Sequence, residues 1–146
     1  MSRLLFDTNI LLDIAIPGRP EKEEAREVMR LCNGEGDIGF VCPLSLKDAY
    51  YVLAKGYDEK TARRWVDQLM GLLVIAPVSA EECDMSLRGN EPDFEDGLIR
   101  AVAELEDIDY IITRDKRAFA NSPVKSVTAA EYLSIPRKSA FMPWQG

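Results

Sequence analysis

The chain has 146 residues, of which 47% are apolar, so it is long enough to form one domain with a substantial core. It carries 25 acidic and 18 basic residues, and the resulting net charge of −7 excludes a globally basic surface that would attract nucleic acid. It contains no histidine, which excludes a Ser-His-Asp triad, a histidine general base and histidine-ligated zinc.

The first half of the chain is predicted to alternate between short apolar strands and helices. The strands are expected over 3–6, 38–42 and 72–76, and the helices over 9–14, 21–32, 44–55 and 58–70. Asp7 or Thr8 should cap the first helix. The pair Asn33-Gly34 should end the second helix, and Gly71 should end the fourth helix before the third strand begins.

The second half continues the alternation. Ser79 and Glu82 resemble a capping box that opens a short helix ending near Arg88. After a turn, Asp93 begins the clearest helix in the chain, whose expected buried stripe is Leu98, Ile99, Val102 and Leu105. Strands are predicted over 109–113 and 124–127, a helical turn from Asp115 to about 119, and a last turn over 128–133.

This order of elements predicts an α/β fold. Strands of four to six residues alternate with helices and no hairpin signal occurs, which favours a central parallel sheet of four to five strands with helices on both faces. We expect a single domain over 1–136 and a C-terminal tail over 137–146. The tail exposes Phe141, Met142 and Trp144, which either pack on the domain or contact a second copy or a partner protein.

Two aspartates are placed to meet at one edge of this sheet. Asp7 follows the first strand directly and Asp115 follows the strand over 109–113. Functional groups in open parallel sheets gather beyond the carboxyl ends of strands, near the point where the strand order reverses. Each aspartate alone is also explained as a helix cap. Their joint placement at two strand ends instead indicates a functional site.

Two further aspartates are candidates for the same site. Asp96 lies in the first turn of its helix beside the start of the buried stripe, and Gly97 next to it suggests close approach of a backbone or a ligand. Asp48 has Leu44 and Val52 four residues away on its helix, so it is expected in an apolar stripe. Converging carboxylates repel one another unless cations lie between them, and aspartate oxygens suit hard cations such as Mg²⁺ or Mn²⁺.

The segments LLFDTN, KDAYYVL, DFEDGLIRAVA and DYIITRD, in this order, resemble the PIN domain family, and the resemblance covers nearly the whole chain. It implies a metal-dependent ribonuclease, with many members acting as toxins of bacterial toxin-antitoxin pairs. It also implies an acidic quartet of Asp7, Asp48, Asp96 and Asp115 that binds Mg²⁺ or Mn²⁺. Thr8, Asn9, Thr113 and Arg114 would then orient the quartet or the substrate. The second acidic position is usually glutamate in this family, so the shorter Asp48 departs from the pattern.

The expected partners are therefore an RNA substrate and a cognate antitoxin protein, with a homodimer as a further expectation. Two other functions stay open. Asp7 could be the nucleophile of a dehalogenase-like phosphatase, although such enzymes need an aspartate where this chain has Asn9. Alternatively, the chain is a catalytically inactive module that binds RNA or protein.

The location in the cell is predicted from the apolar segments and the cysteines. Asp7 and Asp13 interrupt the apolar N-terminal stretch, and the run over 69–78 is about half of what a membrane span needs. Cys32, Cys42 and Cys83 are odd in number and lack a CxxC spacing, so they are expected to be core or inert thiols. We expect a soluble cytoplasmic protein without a membrane partner.

Overall fold

The structure is a computed structural model, and it describes residues 1–34 and 36–137. The apolar tail residues Phe141, Met142 and Trp144 lie outside the described residues, so the expectations for the tail stay predictions. None of the helices in the described part of the chain is long and apolar enough to cross a membrane.

A five-stranded parallel sheet forms the centre of the molecule, as the sequence predicted. The strands are β1 (Arg3–Phe6), β2 (Ile38–Val41), β3 (Val74–Ile75), β4 (Tyr110–Ile112) and β5 (Lys125–Val127). They lie in the order β3-β2-β1-β4-β5, so the strand order reverses at the pair β1 and β4, which are neighbours although about a hundred residues separate them. Leu5 of β1 lies opposite Phe40 of β2 on one side and Ile111 of β4 on the other.

Helices cover both faces of the sheet. Since successive strand residues point to opposite faces, Leu4 and Phe6 contribute to one apolar cluster and Leu5 contributes to the other. The helices of the described residues are α1 (Thr8–Ala15), α2 (Lys22–Leu31), α3 (Pro43–Gly56), α4 (Glu59–Leu72), α5 (Ala80–Leu87), α6 (Phe94–Leu105) and α7 (Ala129–Ser134). The first cluster includes buried residues of α1, α2, α3, α4 and α7, and the second includes residues of α6 and the 3₁₀ turn Lys116–Phe119.

The helix starts follow the capping chemistry in the sequence. Asp7 is the cap of α1, and its side chain accepts a hydrogen bond from the backbone N–H of Thr8. Asp58 accepts from the Thr61 backbone N–H at the start of α4, and Ser79 with Glu82 forms the predicted capping box of α5. The site residue Asp7 therefore has a structural role as well.

Two predictions about helices were wrong. Gly71 does not end α4, which continues to Leu72, and the Leu73 N–H donates to the Leu69 carbonyl. A solvent-exposed glycine costs a helix only about 1 kcal/mol, and the burial of Leu69 and Leu73 compensates for it. Leu105, expected in the buried stripe of α6, is exposed at the end of that helix, whereas Leu98, Ile99 and Val102 are buried as predicted.

The three cysteines are free thiols in the structure. Burial raises the pKa of the Cys32 thiol to about 12, and it also raises the pKa of Cys42 above its usual value. Both side chains therefore stay protonated at neutral pH and are poor nucleophiles.

Candidate functional site

The candidate site lies where β1 and β4 end side by side. Phe6 lies opposite Ile112 in the ladder, and the Asp7 N–H donates to the Ile112 carbonyl at 3.0 Å. The residues that follow β4 therefore emerge next to those that follow β1. This is also the point where the strand order reverses, which is where open parallel sheets place their functional groups.

Thr113 and Asp7 are the centre of a hydrogen-bond network at this edge. The fully buried hydroxyl Oγ1 of Thr113 donates to Asp7 Oδ2 at 2.8 Å. The same hydroxyl accepts from Asn9 Nδ2 at 3.3 Å and from the Asp115 backbone N–H at 3.0 Å. One hydroxyl thus uses its donor and both acceptor positions, and it fixes Asp7, Asn9 and the chain at Asp115 relative to one another.

The environment of Asp7 is unfavourable for a negative charge. Burial raises the pKa of Asp7, and the negative charges of Asp115 and Asp48 raise it further. Hydrogen bonds from the Thr113 hydroxyl and from the Thr8 N–H, which is 2.9 Å from Asp7 Oδ1, oppose this rise in pKa. These two hydrogen bonds therefore offset only part of the rise in the pKa of Asp7.

Asp96 reaches the site from the first turn of α6. The pKa of Asp96 is raised to about 6, mainly by burial. The negative charges of Asp93, Asp7 and Asp115 raise it further. The Asp96 N–H donates to Asp93 Oδ1 at 2.8 Å, so Asp93 acts as the helix cap. Four carboxylates from α1, α3, α6 and the loop after β4 thus interact electrostatically, namely Asp7, Asp48, Asp96 and Asp115.

Gly97 holds α6 close to α5, which is the reason for a glycine beside Asp96. A Cβ atom at Gly97 would collide with the side chain of Ser86. The Ser86 hydroxyl donates to the Phe94 carbonyl at 2.6 Å, where α6 begins. The close approach suggested by the sequence is therefore that of a neighbouring helix, and it fixes the start of α6 where Asp96 lies.

Asp48 is more exposed than the sequence indicated. Tyr51 and Val52, which follow it on α3, are exposed, whereas Leu44, four residues before it, packs half-buried against the core, so only part of the expected apolar stripe is buried. Lys47 Nζ lies 3.0 Å from Asp48 Oδ1, and Asp48 also shares a hydrogen bond with Glu95. This hydrogen bond, followed by burial and nearby negative charge, raises the pKa of Glu95 to about 7.

Arg114, expected to orient the substrate, is tied to α1 at two points. Its backbone N–H donates to Asn9 Oδ1 at 3.1 Å. Its guanidinium group donates to the carboxylate of Asp13, with Nε 2.7 Å from Oδ2. Lys116, the next cation along the chain, pairs with Glu131 at 2.9 Å. Arg114 and Lys116 are therefore engaged in ion pairs within the protein.

Two residues of this region were missed by the sequence reasoning. Glu95 was interpreted only as a favourable acid at a helix start, and no sequence signal places α3 beside α6. Asp13 did carry a signal, because it lies three residues after the buried Ile10 on an otherwise apolar helix. A buried carboxylate requires a positively charged or hydrogen-bonding partner, and in the structure Arg114 is that partner of Asp13.

The chemistry of this arrangement fits a divalent cation. The donors are carboxylate oxygens, and burial together with neighbouring carboxylates disfavours the charged forms of Asp7 and Asp96, which a cation would compensate. Within residues 1–34 and 36–137, no three acidic or cysteine side chains lie close enough together to enclose an ion. Mg²⁺ does not need such a cage, since it keeps several waters and binds through one or two carboxylates plus substrate phosphates.

Comparisons with known proteins give one family match and several similar structures. The family model described as "PIN domain" matches residues 3–117. No curated protein matches the sequence. A toxin-antitoxin complex from Klebsiella pneumoniae is 26% identical, with a TM-score of 0.66 over 86% of this chain and 97% of that chain.

Two further similar structures have lower identity. The sarcin-ricin loop cleaving toxin VapC20 of Mycobacterium tuberculosis is 16% identical, with a TM-score of 0.65 over 86% of this chain and 98% of that chain. VapBC2 of Rickettsia felis, bound to a promoter DNA fragment, is 18% identical, with a TM-score of 0.67 over 86% and 98%. At 16% and 18% identity, the likeness to these two structures shows the fold alone.

Proposed function

The chain belongs to the PIN domain family, and from that premise we propose that it is a divalent-metal-dependent endoribonuclease that hydrolyses RNA phosphodiester bonds. The observation that carries the proposal is that β1 and β4 end side by side at Asp7 and Thr113, so that Asp7 and Asp115 lie at one edge of the sheet. The negative charges of Asp115 and Asp48 help to raise the pKa of Asp7, and those of Asp7 and Asp115 help to raise the pKa of Asp96. Such a cluster costs stability unless a cation or a substrate-bound cation compensates for it.

The ligands of the cation are proposed from the same geometry. Asp7 and Asp96 are the principal ligands, and Asp115 and Asp48 complete the coordination directly or through water. A bound Mg²⁺ or Mn²⁺ ion lowers the pKa of a coordinated water and neutralises charge on the phosphodiester. The salt bridge of Lys47 with Asp48 and the short side chain of Asp48 favour contact through water at that position.

The remaining residues orient this set. Thr113 holds Asp7 Oδ2 through its hydroxyl, and Thr8 holds Oδ1 through its backbone N–H. Asn9 links Thr113 to the backbone of Arg114. These contacts hold both carboxylate oxygens of Asp7 in place, as hydrogen-bond partners of a metal ligand do. Glu95, with a pKa raised to about 7, can donate a hydrogen bond to Asp48 when it is protonated, which limits the charge of the metal-free site.

A role as the toxin of a toxin-antitoxin pair is the second part of the proposal. It is supported by the similar structures, which include a toxin-antitoxin complex and a sarcin-ricin loop cleaving toxin. An antitoxin protein would then be the cognate partner, and the toxin would act on RNA in the cytoplasm. A reading frame for a small antitoxin beside the gene is the observation that would separate a toxin from a housekeeping nuclease.

One observation favours the alternative of an inactive module that binds RNA or protein. Asp48 replaces the glutamate usual in the family, and it is paired with Lys47 rather than free. If the second acidic position cannot contribute to the metal site, the domain could retain binding without cleavage. The same experiment that tests the nuclease separates the two functions.

The test is cleavage of a fluorescently labelled single-stranded RNA by purified protein. We expect cleavage with Mg²⁺ or Mn²⁺, none with EDTA, and loss of cleavage in Asp7→Asn, with products that carry a 5′-phosphate. Asp67→Asn, an exposed position on α4 outside any described ion pair, is the matched control and should cleave as wild type does. RNA binding without cleavage under all metal conditions would favour the inactive module.

A further inference from the structure

A second charged group, separate from the carboxylates, lies at the far end of α1. Asp13 is 0% exposed, and an isolated buried carboxylate would be strongly destabilising. Arg114 neutralises the Asp13 carboxylate with a bidentate salt bridge, in which Nε donates to Oδ2 at 2.7 Å and Nη2 donates to Oδ1 at 3.2 Å. Arg19, from the loop between α1 and α2, approaches the same carboxylate, with Nη1 3.7 Å from Oδ1.

The group formed by Asp13, Arg19 and Arg114 carries a surplus of one positive charge. Arg114 alone satisfies both oxygens of Asp13, and Arg19 is too distant for a good hydrogen bond, so its N–H groups stay available. The side chains of Arg114 and Arg19 are 35% and 33% exposed. The buried carboxylate therefore fixes two guanidinium groups that both reach solvent.

The geometry connects this group to the candidate site. The Arg114 N–H donates to Asn9 Oδ1 at 3.1 Å, and Asn9 donates to the Thr113 hydroxyl that holds Asp7. Two other cations near the carboxylates have an acidic partner of their own: Lys47 has Asp48 and Lys116 has Glu131. Those pairs are neutral, whereas Arg19 and Arg114 both pair with the single acid Asp13. Glu21 and Glu24 also line the pocket beside Arg114.

We propose that Arg19 and Arg114, held by Asp13, form a subsite for a backbone phosphate of single-stranded RNA that flanks the bond to be cleaved. Guanidinium groups match phosphate oxygens with paired hydrogen bonds, and a positive group is needed where the chain as a whole has a charge of −7. The inference rests on the proposed ribonuclease function and adds a substrate contact to it. Arg19 supplies the surplus charge, and Arg114 supplies the link to the site.

Arg19→Gln is the informative variant, because Arg114 still compensates for buried Asp13 and the fold should be retained. Binding is measured as fluorescence anisotropy of a labelled single-stranded RNA in Ca²⁺ over a series of salt concentrations. We expect about fivefold weaker binding at low salt, and a slope of log affinity against log salt that is reduced by about 0.7. A single-stranded DNA of the same sequence should lose affinity by the same factor, because a phosphate contact does not read the 2′-hydroxyl.

Arg30→Gln is the matched control, since Arg30 is exposed on α2 and paired with Glu27. It should leave affinity and salt slope as in the wild type. Three results would overturn the subsite. The Arg19→Gln variant could bind RNA as tightly as the wild type, Arg30→Gln could lose as much RNA affinity as Arg19→Gln, or the wild type could fail to bind RNA. If the wild type cleaves RNA and Arg19→Gln binds RNA as tightly as the wild type, the nuclease proposal holds and the subsite proposal fails. If RNA binding depends on Arg19 but the wild type does not cleave RNA, the subsite proposal holds and the nuclease proposal fails.

Discussion

Thr113 Oγ1 donates a 2.8 Å hydrogen bond to Asp7 Oδ2 from a position with no solvent exposure. This one contact joins the end of β4 to the end of β1, and it stabilises the charged form of an aspartate whose pKa is otherwise raised by burial. Thr113 thereby influences both the geometry and the protonation of the proposed metal ligand.

Thr113→Val should raise the pKa of Asp7 further, because it removes the hydrogen bond that lowers it. The acidic limb of the pH dependence of kcat/KM should move to higher pH, with activity near neutral pH falling about tenfold. The Asp115 backbone N–H would lose its acceptor and the Asn9 side-chain amide one of its two acceptors, at a cost of about 1 to 3 kcal/mol in the free energy of unfolding. Thr113→Ser keeps a hydroxyl and should restore the pH profile. An unshifted profile in Thr113→Val would contradict this role.

The metal-free protein should lose stability as the pH rises from 5 to 7. The pKa values of Glu95 and Asp96 are raised to about 7 and about 6 in the folded state, so between their unfolded and folded pKa values the folded state binds more protons. Stability is then greatest at the lower pH and decreases as these groups ionise. Thermal unfolding in EDTA should show a Tm that falls by a few degrees.

The chain is well suited to this measurement because it has no histidine that would titrate in the same range. The double variant Glu95→Gln with Asp96→Asn should flatten the dependence. Saturating Mg²⁺ should also reduce it in the wild type, since the cation compensates for the charges. A Tm that rises from pH 5 to 7 in EDTA would contradict the converged acidic site.

Asp96→Asn should raise the Tm in EDTA and abolish RNA cleavage. The substitution removes one of several like charges that interact with Asp7 and Asp115, so the metal-free fold gains stability while a proposed metal ligand is lost. Asp84→Asn, an exposed position on α5 paired with Arg88, is the control and should change neither property appreciably. Lower stability of Asp96→Asn in EDTA would count against the electrostatic account.

Gly97→Ala and Gly71→Ala should have opposite effects on stability. A Cβ at Gly97 collides with Ser86, so the substitution should force α5 and α6 apart and cost about 1 to 3 kcal/mol in the free energy of unfolding. Nothing lies within 4 Å of a Cβ at Gly71, so there the better helix propensity of alanine should add about 0.5 to 1 kcal/mol. Chemical denaturation measures both, and equal effects would contradict the packing argument.

The sheet was predictable because its strands are buried on both faces and therefore read as short apolar runs. Asp7 and Asp115 could be placed at one edge from strand order alone, since parallel strands end on the same side. The error at Gly71 arose because local helix propensity was judged without the burial of Leu69 and Leu73 that outweighs it. Local patterns thus predicted the elements better than their ends.

The contacts between distant elements could not be predicted. The hydrogen bond between Asp48 and Glu95 depends on how α3 and α6 approach each other, and the pairing of Asp13 with Arg19 and Arg114 depends on a loop conformation. No spacing in the sequence encodes either one. The family resemblance suggested the acidic positions, whereas the structure shows which neighbours raise or lower the pKa values of Asp7 and Asp96.

The most direct test of the central claim is anomalous X-ray diffraction from crystals of the protein soaked in Mn²⁺. The account predicts a manganese peak at the edge of the sheet where β1 and β4 end, with carboxylate oxygens of Asp7 and Asp96 as ligands at about 2.0 to 2.3 Å. Asp7→Asn crystals treated in the same way should lack the peak. Manganese bound only elsewhere, or equal occupancy in the variant, would contradict the claim that these aspartates form a metal site.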